Sequence, residues 1–446
     1  MNGFRDCNFR QGTDMLNVQL SRLTLLREEL SEPVLGGLCA FAEALLTGDI
    51  LGAVSAYHGM TAALLNCGAR RVTGNLFRDY ILDLILVREQ PFSRMAAKGE
   101  FDEATCMLMR SDLEVMRSLF DFDGDIAFEW TKERRNEIRN KNQSKPKDSA
   151  SLIASAAWGG SSAPIRPVQP ARESEQVLSF IGNEWASWNY YNGMRIEGEY
   201  AADEALEEMY CRMTESGDWG ALLQDIWNLG ATYGCGVFLE TRNFSLLGGD
   251  IVPADDIMAA VLPPEGSPAL NEGLSAELTA NLIRFMRGEP CENVLITGGE
   301  GTGKTTLAAA VANELPELRV LYVDDINCIQ AAVRCLAEQP LRFMVLFEGM
   351  SPGIIQAALS KAVLPDNILL VATQRAAQPT PLMPHLIEVP YMELNDYIEL
   401  VESILEGRGV RLPQSEIRNA CLDQKTESRG HLTPAAAKLT AARIAR

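Results

Sequence analysis

Gly298-Gly299-Glu300-Gly301-Thr302-Gly303-Lys304-Thr305 fits the pattern G-x-x-x-x-G-K-[ST] and directly follows the apolar run Val294-Leu295-Ile296. Thr306-Leu307-Ala308-Ala309-Ala310 comes next and reads as the opening of a helix. A strand, a glycine-rich turn and a helix in that order make a phosphate cradle. The turn aims successive backbone N–H groups at phosphate oxygens, and the helix adds the positive end of its dipole. Within that cradle Lys304 is placed to reach the β- and γ-phosphates, and Thr305 to put its hydroxyl on a magnesium ion shared with them. The expected cofactors are therefore ATP and Mg2+. The expected binding set is Gly298, Gly299, Glu300, Gly301, Thr302, Gly303, Lys304, Thr305 and Thr306. No N-K-x-D signature for guanine follows the later strands, which disfavours GTP.

Outward from this loop the hydrophobic pattern alternates between the two regular periods. The spacing predicts helices over 275–287, 304–314, 326–338 and 354–363, and strands over 293–297, 319–323, 343–347, 368–373 and 386–389. Such alternation implies a parallel sheet covered by helices, with ligands at the carboxyl ends of its strands. Upstream, 237–241 reads as a short strand and 263–268 as a loop. The tail beyond it reads as helices near 396–406, 415–421 and 434–444, a small lid.

The N-terminal third differs in character. From Met15 to about Arg139 apolar residues recur at helical spacing with few strand signals, which predicts an all-α domain. Around 142–172 the composition shifts to Ser, Pro, Lys, Ala and Gly, the signature of a linker or insertion. Helical stretches near 174–188, 201–214 and 219–229 then complete the helical domain. The expected division is 1–141 helical domain, 142–172 linker or insertion, 173–234 helical segment completing it, 235–392 ATPase core and 393–446 helical lid.

Composition sets limits on function. A chain of 446 residues, 47% hydrophobic and 22% charged, can bury a large core. Its net charge of −20 argues against a surface built to coat nucleic acid or anionic membrane, so a protein partner is expected ahead of a nucleic acid. The start lacks an apolar signal core and no stretch approaches 18 uncharged apolar residues, which predicts a cytoplasmic protein with no membrane association. Ten cysteines without a C-x-x-C pair, and three histidines, point to neither a zinc cluster nor a disulfide framework.

A triphosphate site also needs a carboxylate near magnesium and a group to orient the attacking water. Two stretches compete. Leu321-Tyr322-Val323-Asp324-Asp325 ends the first strand after the phosphate-loop helix, and Arg342-Phe343-Met344-Val345-Leu346-Phe347-Glu348-Gly349 ends the second. By analogy with ring-forming ATPases the second strand is expected beside the phosphate-loop strand and the first at the sheet edge, which favours Glu348 as the metal ligand. Asp324 and Asp325 then read as a solvated strand end capping the next helix. Gly349 has no side chain to polarise water, so chemistry without general-base help would slow by about 10²- to 10⁴-fold. Gln374 could hydrogen-bond the γ-phosphate or the water, or be a polar loop residue. Arg375 could contact phosphate, serve a neighbouring subunit as an arginine finger, or be solvated.

The runs ENVLITGGEGTGKTTL, RFMVLFEGMS and NILLVATQR, with LFRDYILDLILVREQPFSRMAAKGEFD and YGCGVFLETRNF upstream, together resemble a bacterial AAA+ ATP-binding family catalogued as a domain of unknown function. That family is similar in style to helicase-loader ATPases. The resemblance spans much of 40–122 and nearly all of 231–446, and Gln90-Pro91-Phe92-Ser93-Arg94 makes it more specific than the phosphate loop alone. It implies an α/β fold: an AAA+ P-loop NTPase parallel sheet with a C-terminal helical lid, preceded by an all-α domain. The family places two acids where this chain has Glu348-Gly349, and a Ser-Asn-Arg sensor where it has Gln374-Arg375. Both departures weaken the case for vigorous hydrolysis. A lid arginine follows a Ser-Gly-rich turn in the family, and Ser428-Arg429-Gly430-His431 occupies that region, which makes Arg429 the candidate γ-phosphate sensor.

The expected function is a nucleotide-dependent remodelling or loading ATPase with weak hydrolysis, acting on a macromolecular partner and able to form a homo-oligomer. The alternative is an ATP-bound switch or scaffold that does not hydrolyse. The expected catalytic set is Lys304, Glu348, Gln374, Arg375 and Arg429, with Thr305 and Glu348 at the metal. Three further features read as structural. Lys132, Arg134, Arg135, Arg139, Lys141, Lys145 and Lys147 gather positive charge at a solvated helix end, with contact to nucleic acid or an acidic partner as the alternative. Asp121-Phe122-Asp123-Gly124-Asp125 resembles a calcium loop but lacks the terminal glutamate. Trp185, Trp188, Tyr190 and Tyr191 read as core or interface.

Overall fold

A computed structural model describes residues 4–143, 185, 187–190, 201–262, 272–360 and 362–445. The chain divides into two compact units. The first is Met1–Phe92, Phe101–Glu197 and Leu206–Trp227, and the second is Ser93–Glu100, Gly198–Ala205 and Asn228–Arg446. Among the described residues no helix is long and apolar enough to cross a membrane. All ten cysteines are free thiols.

The first seven helices are α1 (Phe9–Ser21), α2 (Pro33–Thr47), α3 (Ile50–Asn66), α4 (Leu76–Leu86), α5 (Pro91–Ala97), α6 (Glu103–Leu119) and α7 (Gly124–Gln143). They are followed by α8 (Ala201–Glu215) and α9 (Leu223–Tyr233). In the first unit, Asn75 caps α4 and Asp102 caps α6 by accepting N–H groups of the first turn. Asp112 of α6 is fully buried and accepts the backbone N–H groups of Thr24, Leu25 and Leu26 at 2.8–3.2 Å, which ties down the segment after α1. Trp188 is buried, stacks on Tyr57 at 5.2 Å and donates its indole N–H to Thr61. The aromatic residues 185–190 therefore serve the core, and Tyr191 lies outside the described residues. Asp123 caps the start of α7 and pairs with Arg5, while Arg134, Lys132 and Lys141 of the basic stretch pair with Glu137 and Glu129. Lys145, Lys147 and most of the helix expected over 174–188 lie outside the described residues.

The second unit carries a seven-stranded sheet. Its strands are β1 (Asn243–Leu247), β2 (Asp250–Pro253), β3 (Val294–Gly298), β4 (Leu318–Val323), β5 (Arg342–Glu348), β6 (Ile368–Gln374) and β7 (His385–Val389). Their spatial order is β2-β1-β4-β5-β6-β3-β7. Only β1 and β2 pair antiparallel; every other neighbour is parallel. The helices of this unit are α10 (Val237–Glu240), α11 (Asp255–Val261), α12 (Glu272–Met286), α13 (Lys304–Asn313), α14 (Ile329–Ala337) and α15 (Pro352–Leu359). The lid adds α16 (Leu394–Gly407), α17 (Gln414–Glu427) and α18 (Pro434–Ile444).

Strand periodicity sorts the sheet's side chains onto two faces. Leu295, Phe343, Val345 and Phe347 pack with α14 and α15, whereas Val294, Ile296, Met344 and Leu346 pack with α12 and α13. Both faces are covered, and each large side chain buried contributes about 1.5–3 kcal/mol. The lid has its own core of Tyr397, Leu400, Val401, Leu405, Ile417 and Cys421, into which Ala437 and Ala441 bring α18 close.

Three expectations need correction. Residues 237–241 form no strand: Val237–Glu240 is one helical turn, and its Phe238 packs edge-on against Phe244 and Phe343. Burial against the sheet, not pairing within it, accounts for that apolar run, and the strands of this region are β1 and β2. The strand 342–348 is also not beside the phosphate-loop strand, because β6 lies between β5 and β3. Nor is β4 the sheet edge, since the β1–β2 hairpin lies outside it.

Candidate functional site

The site gathers at the carboxyl ends of β3, β5 and β6. Register brings them level: Thr297 pairs with Gln374, and Glu348 with Thr373. A cleft of about 530 Å³ opens there, lined by the phosphate loop and the start of α13, by Glu348 and Gly349, by Thr373, Gln374 and Arg375, and by Pro434, Ala435 and Lys438 of the lid. Ala260 and Val261 at the end of α11 complete its wall.

The loop between β3 and α13 is built for close approach. Gly301 has φ of 73°, and a Cβ there would stand 2.8 Å from Cβ of Ala435. Only glycine takes both that backbone and that proximity without strain. Thr302 is buried and folds its hydroxyl back to the carbonyl of Gly299. Lys304 directs its ammonium group to the carbonyls of Gly298 and Gly299 at 3.0 and 2.7 Å. Burial first, and the charge of Arg375 second, hold its pKa below the ordinary lysine value, against the opposing pull of Glu300 and Glu348.

Thr305 donates its hydroxyl to Oε1 of Glu348 at 3.0 Å. This contact crosses from α13 to β5 over the end of β6 and joins the two side chains expected at the metal. Asp325 instead caps the helical turn after β4, accepting the N–H of Asn327. Neither Asp324 nor Asp325 lines the cleft. Gln374 donates its amide to the carbonyl of Gly349 at 2.5 Å, and Arg375 pairs with Glu300 of the phosphate loop. Thr306 also lines the cleft.

The lid residues sort differently from expectation. Arg429 sits in the α17–α18 turn with φ of 56° and is not among the residues lining the cleft. His431 stacks on Tyr391 at 4.3 Å. The lid cation that does line the cleft is Lys438, on α18. Sequence reading missed it because it stands among alanines outside any motif, although its place one turn into a capped helix after the glycine turn was a usable signal. Thr433 caps that helix, and the N–H of Ala435 reaches the carbonyl of Gly301 at 3.3 Å.

The residues present fit a magnesium–triphosphate group. Backbone N–H groups and Lys304 suit phosphate oxygens, and Thr305 with Glu348 supplies the oxygen-only donors a small hard cation takes. A parallel sheet ending in this loop, with a three-helix lid across the strand ends, is the α/β AAA+ P-loop NTPase fold. Residues 271–374 match the family model described as "Protein of unknown function (DUF815)". That stretch of the core is similar to the DUF815 family. The matched segment holds the phosphate loop, Glu348 and Gln374, and it ends one residue before Arg375.

A comparison with curated proteins gives no match. Among solved structures, RuvB of Thermotoga maritima, a Holliday junction branch migration motor, is 18% identical over 39% of this chain and 62% of that chain, with a TM-score of 0.30. A point variant of the same protein is 20% identical over 39% and 62%, with a TM-score of 0.31. These matches span less than two thirds of the RuvB chains' own length. Strand order and the phosphate loop define the fold.

Proposed function

We propose that this chain binds ATP with magnesium in the cleft between sheet and lid and works through nucleotide-dependent conformation, as a remodelling or loading ATPase with weak hydrolysis. The observation that carries the reading is the Thr305–Glu348 hydrogen bond, which unites the phosphate loop's hydroxyl with a strand-end carboxylate. Thr305 and Glu348 would hold the metal, Lys304 the phosphates, and Ala260 and Val261 offer apolar surface to a base. Bound magnesium would supply charge neutralisation across the phosphates. Gln374 and Arg375 border the same end of the cleft and would orient groups at the third phosphate. Lys438 is the lid cation proposed in place of Arg429.

Gly349 favours a second reading, a switch that holds ATP and scarcely turns it over, because no side chain there accepts a proton from water. Net charge favours a protein partner over nucleic acid on both readings.

Calorimetric titration with ATP, ADP and GTP, paired with sizing of each complex, tests the proposal. The expected result is magnesium-dependent ATP binding that Lys304→Ala weakens by at least about 100-fold, near the value of one charge-assisted contact set. Equal binding by the variant would remove this loop from the function. Rapid steady phosphate release by pure protein would eliminate the switch reading.

A further inference from the structure

Three groups that seek phosphate in this cleft are all satisfied by the phosphate loop itself. Lys304 is bonded to the carbonyls of Gly298 and Gly299, the N–H of Ala435 to the carbonyl of Gly301, and Arg375 to the carboxylate of Glu300. The acceptors of Lys304 and Ala435 are backbone, which any sequence supplies. The partner of Arg375 is a side chain: an acid in a loop that, on the reading above, receives polyphosphate.

Position makes that choice consequential. β6 lies between β3 and β5, so Arg375, just past its end, stands between the phosphate loop and Glu348. Its carbonyl accepts the N–H of Gly298, which fixes its backbone against the loop. The same cleft holds Thr305 and Glu348, where a terminal phosphate would meet its metal. A carboxylate and a phosphate present the same oxygen geometry to a guanidinium fork. Both partners are exposed, Arg375 by 70% and Glu300 by 82% of the side chain, so the bridge is weak enough to exchange.

We propose that Glu300 is an internal stand-in for the γ-phosphate: it competes with the triphosphate for Arg375 and thereby sets how strongly the site prefers ATP to ADP. The proposal rests on the nucleotide reading above and gives Arg375 a role within its own chain. A third phosphate displaces Glu300 from Arg375 and gains that contact, less the cost of breaking the bridge. A diphosphate leaves the bridge intact.

Glu300 also repels any polyphosphate, so a plain charge effect must be separated from competition. Titration calorimetry with ATP and with ADP on wild type, Glu300→Gln, Arg375→Gln and the double variant does this. Competition predicts that Glu300→Gln raises the ATP-to-ADP affinity ratio by about three- to fivefold, and that the rise vanishes when Arg375 is already Gln. An equal gain for both nucleotides, or an undiminished ratio change in the Arg375→Gln background, would overturn the competition while leaving nucleotide binding intact. Where wild type is silent, binding of ATP but not ADP by Glu300→Gln, lost in the double variant, would support it, and binding of both nucleotides alike would overturn it. No binding by any of the four proteins would overturn the nucleotide reading and the competition with it. Both positions are exposed, and thermal melts of the four proteins confirm that ratios compare folded states.

Discussion

At Gly349 the backbone has φ of 70°, and an added Cβ would meet nothing within 4 Å. Space is therefore not what keeps a side chain away; only the left-handed backbone resists one, at about 1–2 kcal/mol. Gly349→Glu restores an acid next to Glu348 and gives water a proton acceptor. It should raise ATP turnover by at least about tenfold, the low side of what general-base help supplies, while lowering stability by roughly that backbone cost. Phosphate release and a denaturant melt check both halves. Turnover unchanged in a folded variant would place the limit elsewhere, with Gln374 the next candidate because its amide holds the carbonyl of Gly349. At this scale the loop's place between a strand and a helix was legible, since such a motif is made of contiguous residues. Lys438 and the Glu300–Arg375 pair were not, because each depends on elements that meet only after folding.

Elements were legible where periodicity was long and local. The strands 294–298, 318–323, 342–348 and 368–374 each fell within a few residues of expectation, since a buried parallel strand is a run of apolar residues bounded by turns. The β1–β2 hairpin was missed although Gly248-Gly249 marks a two-residue turn, because the adjacent Val237-Phe238-Leu239 run has the stronger strand composition. Helix α4 offers a test at this scale. Its Asp83 accepts the hydroxyl of Tyr210 at 2.8 Å. Burial pushes the Asp83 carboxyl above its ordinary 3.8, ahead of the opposing pulls of Tyr210 and Arg70. The folded chain thus binds this proton more tightly than the unfolded chain, so the group's contribution is fully present below 3.8 and is lost as pH rises through the folded value. Asp83→Asn cannot titrate. Denaturant melts from pH 3.5 upward, in steps of about half a unit, should show wild type losing stability relative to the variant. Parallel curves would mean that the carboxyl is not perturbed by folding.

For the whole molecule, the order of strands decides which residues share a site. Placing β6 between β3 and β5 sets Arg375 beside the phosphate loop and still lets Thr305 reach Glu348, although β3 and β5 are not neighbours. The analogy used for the sequence chose the carboxylate that lines the cleft but the wrong strand neighbour, because strand adjacency is a property of chain crossings and not of the apolar runs themselves. The lid meets this arrangement through α18, whose Ala435 N–H bonds to Gly301 and whose Lys438 lines the cleft. Ordering the loop around a triphosphate should therefore reach the lid. With ATP at 100 times its Kd the second unit should gain about 2.7 kcal/mol. Amide hydrogen exchange should slow at the phosphate loop, at the ends of β5 and β6, and across the first turn of α18, and Lys304→Ala should abolish all three changes together. Protection of the loop alone, with α18 exchanging at its nucleotide-free rate, would separate binding from lid movement and leave the remodelling reading without its moving part.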